Sequence, residues 1–194
     1  MKKILVLITA LCLLLGGTAL ADVYTIDSDH AEVGFSVKHM VITNVKGAYR
    51  EYEGSFEVDE NNQLKTVEVE VAAKSIDTRI QKRDDHLRSQ DFFEVDKFPT
   101  ITFKAVSSKS AGKNKYKVEG DLKIRDVTKK VHLDGELFGP VKDPWGNQRI
   151  GIILTGQIDR KDFGLTYNKV LETGELLISD EVKIHLEGEG ILKK

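Results

Sequence analysis

Val67-Glu68-Val69-Glu70-Val71 places an apolar residue at every second position with a carboxylate between, and Ala31-Glu32-Val33-Gly34-Phe35-Ser36-Val37-Lys38 keeps a similar alternation. Side chains of a strand point alternately to opposite faces, so this period of two reads as a strand with one dry face and one wet face. Outward from these two runs, the pattern recurs at roughly 46–58, 99–107, 115–125, 129–138, 149–159 and 180–191. Turn-forming clusters separate the runs: Asp59-Glu60-Asn61-Asn62, Ala111-Gly112-Lys113-Asn114 and Asp143-Pro144-Trp145-Gly146-Asn147. With 31–40 and 65–74, about eight strands are expected in an all-β, mainly antiparallel protein. Periodicity alone does not separate a closed barrel from a two-sheet sandwich. Gly47, Gly54, Gly120, Gly135 and Gly156 fall inside strands, several on the apolar parity, as expected where barrel strands bend or leave room inside. That favours the barrel over bulges in a sandwich.

One segment breaks the pattern. Ser75 to Phe93 offers Asp77 or Thr78 as an N-cap, then Ile80, Asp84 and Leu87 at helical spacing, with Asp84 four residues before Arg88. A short helix or two is expected there, lying across the barrel mouth. Asp159 to Leu165 reads as a loop or single turn before the last strand.

The chain opens with Lys2 and Lys3, an apolar run, and the small-residue triplet Ala19-Leu20-Ala21, the layout of a cleaved secretory signal peptide. Residues 1–21 are therefore expected to be a leader and 22–194 one domain in the periplasm. The apolar run from Ile4 to Leu15 is short of the ~20 residues that span a bilayer. The single cysteine, Cys12, lies inside the leader, so the mature chain has no thiol for disulfides, nucleophiles or metal ligands. The net charge of −2 includes Lys2 and Lys3; removing those two leaves −4, with charges mixed along the chain. No nucleic-acid footprint and no basic membrane patch stand out.

Chemistry is sparse. The five histidines, His30, His39, His86, His132 and His185, show no metal-ligand spacing and disagree in strand parity. His132 and His185 should point outward, whereas His39 shares parity with Phe35 and Val37. Strand carboxylates alternate with apolar residues, as on a solvated exterior rather than in a paired acid and base. Phosphate-binding glycine loops and a nucleophile elbow are absent from the sequence, so neither a cofactor nor a metal is expected. The densest cluster is Arg79, Lys82, Arg83, Asp84, Asp85, His86 and Arg88, followed by Asp91, Phe92 and Phe93. It reads either as an ion-pair network fixing a helix or as a headgroup site.

Folded into a barrel, the inward set comprises Val33, Phe35, Val37, Phe56, Val58, Val69, Val71, Ile101, Phe103, Val118, Leu122, Ile124, Leu133, Leu137, Ile152, Leu154, Ile158, Val182, Ile184 and Leu186. An eight-stranded barrel is either filled by such side chains or holds one slender ligand. A lipid suits this lining: at ~0.8 kcal/mol per buried methylene, a dozen carbons give about 10 kcal/mol.

Several segments, in this order and spacing, resemble the YceI-like polyisoprenoid-binding family: Asp29-His30-Ala31 through Phe35 to Met40, Arg83 to Phe93, Phe98 to Phe103, Gly120 to Ile124 with Val127-Thr128, Asp143 to Asn147, Arg160 to Leu165, and Ser179 to Ile184. The resemblance covers essentially the whole mature chain. It implies an eight-stranded antiparallel lipocalin-like β-barrel with a short helical segment near its mouth and an elongated tunnel for a polyprenyl chain or similar amphiphile. It implies no settled enzyme activity. The chain departs from the family at Ala31, where serine is usual and a hydroxyl near the tunnel end is lost, and at Asp126, where glycine is usual in the hairpin. The expected ligand-binding residues are Phe35, Val37, His39, Phe56, Phe103, Leu122, Ile124, Ile152, Leu154, Val182 and Ile184 in the lumen, with Arg83, Asp84 and His86 at its polar end. The expected partner is a long-chain isoprenoid or fatty-acyl amphiphile, with transient membrane contact and a homodimer left open. An enzyme acting on that lipid and a structural or stress-response protein with a packed core are the rival functions.

Overall fold

The computed structural model describes residues 21–193, so the expected leader lies outside the described residues except for Ala21. The strands are β1 (Asp22–His39), β2 (Thr43–Tyr49), β3 (Tyr52–Val58), β4 (Leu64–Ala72), β5 (Ile76–Asp77), β6 (Thr100–Gly112), β7 (Lys115–Ile124), β8 (Val127–Lys142), β9 (Gln148–Asp159) and β10 (Ile178–Leu192), with one helix, α1 (Gln81–Arg88), between β5 and β6. All named pairings are antiparallel. The last strand returns to the first, from Tyr24 opposite Leu192 to His39 opposite Ile178, and this closes the barrel.

On its other side, β1 pairs with two strands in succession. Val33 to His39 lies against β2, and Asp22 to Thr25 lies against β3. The strands β2 and β3 run in one direction with only Arg50 and Glu51 between them, so they are one course around the wall, bent at that point. The run expected at 46–58 is thus continuous in path and interrupted in pairing. Eight antiparallel positions complete the ring, and the edge of β2 beyond the bend is covered by the two-residue β5, whose Asp77 and Ile76 face Ala48 and Tyr49. A sheet closed in this way leaves few unpaired strand edges.

The first strand begins nine residues earlier than its alternation suggests. Between the pairs Ile26–Gly190 and Ala31–Gly188, β1 advances five residues while β10 moves two, so three extra residues bulge from the wall. An odd insertion flips the parity: Tyr24 and Ile26 point inward before it, and Val33, Phe35 and Val37 after it.

At the end where β3–β4, β6–β7 and β8–β9 turn, the lumen is solid. Tyr24, Phe56, Val58, Val67, Val118, Ile150 and Ile152 are each at most 2% exposed there, and the rings of Tyr24 and Phe56 stack 5.4 Å apart at 9°. The turns at this end use residues suited to positive φ, Asn62, Asn114 and Gly146. At the opposite end, the β1–β2 turn places Met40 (φ 50°) and Val41 (φ 64°) in the left-handed region, closed by Ile42 N donating to His39 O at 3.3 Å. That conformation costs about 1–2 kcal/mol per L-residue, more for a β-branched one. All three apolar side chains of this tip are exposed, Ile42 at 82%.

The helix differs from its expected layout. Its N-cap is Ile80, with no side-chain cap; Asp77 instead accepts from Arg79 N at 2.7 Å one turn earlier. The partner of Arg88 is Asp85 at 3.1 Å, not Asp84, which is 5% exposed and turned inward. Asp159 to Leu165 forms a 3-10 turn over Arg160–Phe163, with Asp159 accepting from Lys161 N. No helix of the described residues is long and apolar enough to cross a membrane.

Candidate ligand-binding site

Inward-facing residues of the open half enclose a cavity of about 380 Å³. Its wall is built by the same alternation that fills the other end: Val33, Phe35 and Val37 from β1, Val69 and Val71 from β4, Ile101 and Phe103 from β6, Leu122 and Ile124 from β7, Leu133 from β8, Leu154 and Ile158 from β9, and Val182, Ile184 and Leu186 from β10. The volume falls within the usual range for small-molecule sites, roughly 300–1,000 Å³. Two glycines keep this space open by receiving aromatic rings. A Cβ on Gly47 would lie 2.4 Å from the Phe35 ring, and one on Gly120 would lie 2.4 Å from the Phe103 ring, so each ring rests directly against bare backbone.

Segment 78–93 and the β9–β10 connection form the roof. His86 links them: its ring meets Phe92 edge-on at 5.0 Å and Tyr167 edge-on at 4.8 Å, while Nε2 lies 2.9 Å from Asp91 Oδ2. Arg160, 3% exposed, anchors the connection from within. Its guanidinium donates to the carbonyls of Ser179, Leu165 and Tyr167 and pairs with Asp180 at 3.0 Å. Burial draws the Arg160 guanidinium below its ordinary pKa, and the Asp180 carboxylate opposes that. Asn168 is likewise committed, bonding both N and O of Ile178.

Segment 78–86 brings three polar side chains to the lining, Thr78, Arg83 and His86. Arg83 donates through Nε to Thr78 Oγ1 and through Nη2 to Thr78 O, both at 2.7 Å, and Asp84 accepts from Thr78 N at 2.9 Å. These bonds fix the loop before α1. The Arg83 guanidinium lines the cavity, pairs with no carboxylate among the described residues, and keeps Nη1 uncommitted.

The expected residues Phe35, Val37, His39, Arg83, His86, Phe103, Leu122, Ile124, Leu154, Val182 and Ile184 all line the cavity. Phe56 and Ile152 have the right parity at the wrong height: both lie in the solid end, 0% and 1% exposed. Asp84 sits behind the wall, spent on Thr78. Ala31 is also outside the lining; its Cβ abuts Gly188 and its carbonyl accepts from the Tyr52 hydroxyl. Tyr49, Tyr167 and Lys169 line the cavity without having been singled out, and Thr78, expected only as a helix cap, lines it as well. The parity of Tyr49 with Val45 and Gly47 was readable, but a tyrosine at a strand end reads equally well inward or outward.

Asp27, His30 and Glu189 come together although nothing in their spacing announces it. The β1 bulge carries the first two, and Arg149 answers their charge: Nη1 lies 2.6 Å from Asp27 and 2.9 Å from Glu189, and Nε lies 2.8 Å from Asp143. Hydrogen bonds from Arg149 hold the carboxyls of Asp143 and Asp27 below the ordinary range. This network ties the solid end together and is remote in role from the cavity.

A family model described as the YceI-like domain matches residues 24–190. A UPF0312 protein of Photorhabdus laumondii is 40% identical over 187 residues, covering 93% of this chain and 97% of its own. Protein YceI of Salmonella newport is 37% identical over 198 residues, the whole of both chains. Among solved structures, the Campylobacter jejuni YceI protein matches with a TM-score of 0.71 at 33% identity, over 81% of this chain and 90% of its own. A polyisoprenoid binding domain from Saccharophagus degradans shares the fold with a TM-score of 0.61 at 14% identity, over 88% and 98% of the two chains. With all or nearly all of each of the ten strands inside the matched span and relatives this similar along their whole length, the chain belongs to the YceI-like family.

Proposed function

We propose that the protein carries a long-chain isoprenoid or similar amphiphilic lipid in the hollow half of its barrel, and that it does so in the periplasm after loss of the leader expected at 1–21. The observation that carries this reading is the cavity itself, about 380 Å³ and walled almost entirely by apolar side chains. That is the space of roughly a dozen water molecules at about 30 Å³ each, yet few groups in the wall could hold water. An apolar chain gains what water cannot, ~0.8 kcal/mol per methylene. The Saccharophagus domain of the same fold is described as polyisoprenoid binding, which supports the same class of guest. Arg83, with an uncommitted guanidinium nitrogen on the lining, is the proposed contact for a polar or anionic head. The exposed Met40-Val41-Ile42 tip borders the open end and is the proposed place of transient contact with a bilayer during exchange.

The apolar character of the lining supports carriage over catalysis. Native mass spectrometry of gently purified protein tests the reading. A co-purifying lipid, displaced by added long-chain lipid and weakened in Arg83→Ala only when its head is charged, is the expected result. Protein that stays empty in the presence of such lipids, or that converts them, contradicts it.

A further inference from the structure

Three segments beside the open end each leave large apolar side chains in water. The β1–β2 tip exposes Met40, Val41 and Ile42, the loop before α1 exposes Ile80, and the β9–β10 connection exposes Val170 and Leu176. These segments adjoin one another. Met40 N donates to Leu177 O at 2.8 Å, which joins the tip to the connection. On the other flank, β5 runs antiparallel to β2, and a Cβ on Gly47 would meet Thr78 Cγ2 at 2.9 Å, so Arg79 and Ile80 lie farther up, toward the tip. Singly exposed apolar residues need no explanation, whereas a group drawn from three loops does.

The tip holds its side chains out at a cost. Met40 and Val41 are both in the left-handed region, which glycine or asparagine enters more cheaply, and the turns of the solid end do use Asn62, Asn114 and Gly146 there. Charge is sorted as well. Residues 38–46, 79–82 and 169–176 hold five lysines and arginines against two carboxylates, Glu172 and Glu175, in a chain that is net negative. Lys46, Arg79, Lys82 and Lys169 are exposed and form no ion pair among the described residues, while Asp77 and Asp85 are taken by Arg50 and Arg88. The three stretches are far apart in sequence, so only the fold assembles this basic rim.

Resting on the carrier reading above, in which a guest passes through the open end, we propose that the tip is one part of a three-segment docking face for an anionic phospholipid bilayer. Ile42, Ile80 and Val170 enter the interfacial region, and the four free cations sit against acidic headgroups, with the cavity mouth turned to the membrane. A bilayer suits this surface better than a protein does. The three segments contain no Phe, Tyr or Trp and are rich in lysine, whereas protein interfaces are enriched in aromatic residues and depleted in lysine.

Flotation with phosphatidylcholine vesicles, with and without phosphatidylglycerol, tests the face on the protein in the form the cell accumulates. The expected result is binding to the anionic vesicles that high salt releases, with little on phosphatidylcholine alone. Lys46→Gln and Lys82→Gln should each weaken that binding about fivefold, and Ile42→Ser roughly tenfold. Trp145→Ser removes a side chain equally exposed, at 82%, but at the solid end, and should leave binding unchanged. Loading of a long-chain lipid delivered from cyclodextrin, without vesicles, should be the same in all four variants, since none of these residues lines the cavity. Equal binding to both vesicles, or an equal loss in Trp145→Ser, overturns the docking face, and no binding to either overturns it and leaves the surface to a protein partner. Normal loading from cyclodextrin keeps the carrier reading in each of those cases. Failure to load, with anionic vesicles still bound through Ile42 and the lysines, overturns the carrier reading and supports the docking face.

Discussion

The two ends of the barrel are made by one alternation of apolar and polar residues and come out differently. At the solid end, Tyr24 and Phe56 stack across the lumen, and valines and isoleucines close around them at 0–2% exposure. At the hollow end, Phe35 and Phe103 lie back against Gly47 and Gly120, and the space they would otherwise fill remains open. Whether an inward residue is core or lining is therefore decided by where aromatic rings rest, not by parity. The solid end supplies stability through close packing. The hollow end gives up part of that packing and keeps a lining with little to do except meet an apolar guest.

Truncating one side chain at each end should produce the largest contrast. Phe56→Ala is expected to destabilise the protein by about 3–5 kcal/mol in urea unfolding, as for other fully packed aromatic residues. Ile184→Ala, whose side chain borders existing empty space, should cost about 1 kcal/mol, because much of its surface is not packed against protein. Comparable losses at the two positions would mean that the hollow end is packed in solution.

A smaller difference concerns acid. Arg149 holds the Asp27 and Asp143 carboxyls below their ordinary value of 3.8, so both bind protons less readily folded than unfolded. Depressed carboxyls contribute stability that is present above that value and lost as the pH falls through the lower, folded one. Thermal unfolding followed from pH 7 down to about 2 should show the parent protein losing stability most steeply below about pH 4. Arg149→Gln should start lower at neutral pH and converge on the parent in acid. Parallel curves would mean that the network at the β1 bulge does not depend on those charges.

Most of the barrel was legible because period-two alternation survives wherever a strand is regular. It failed where parity shifts. Residues 22–30 were missed because the bulge at Asp27 to His30 reverses which residues face inward, and the bend at Arg50–Glu51 hid that one course contains two strands. The cavity residues of β1, β7 and β10 were readable from parity, whereas Phe56 and Ile152 were misplaced because alternation reports the face and not the height along the barrel. Asp84 could not be told from Asp85 until the helix phase placed one inward on Thr78 and the other outward on Arg88.

The central claim, that a lipid chain lies in the hollow end and not on the outer wall, is tested most directly by photolabelling. A long-chain lipid with a diazirine near its tail terminus would be bound, irradiated, and the labelled residues located by peptide mass spectrometry. The account predicts labels on cavity-lining residues such as Phe103, Leu122 and Ile184, competed by unlabelled lipid and absent from Phe56 and Ile152. Labels confined to exposed positions such as Phe138 or Trp145, or undiminished by competitor, would contradict it.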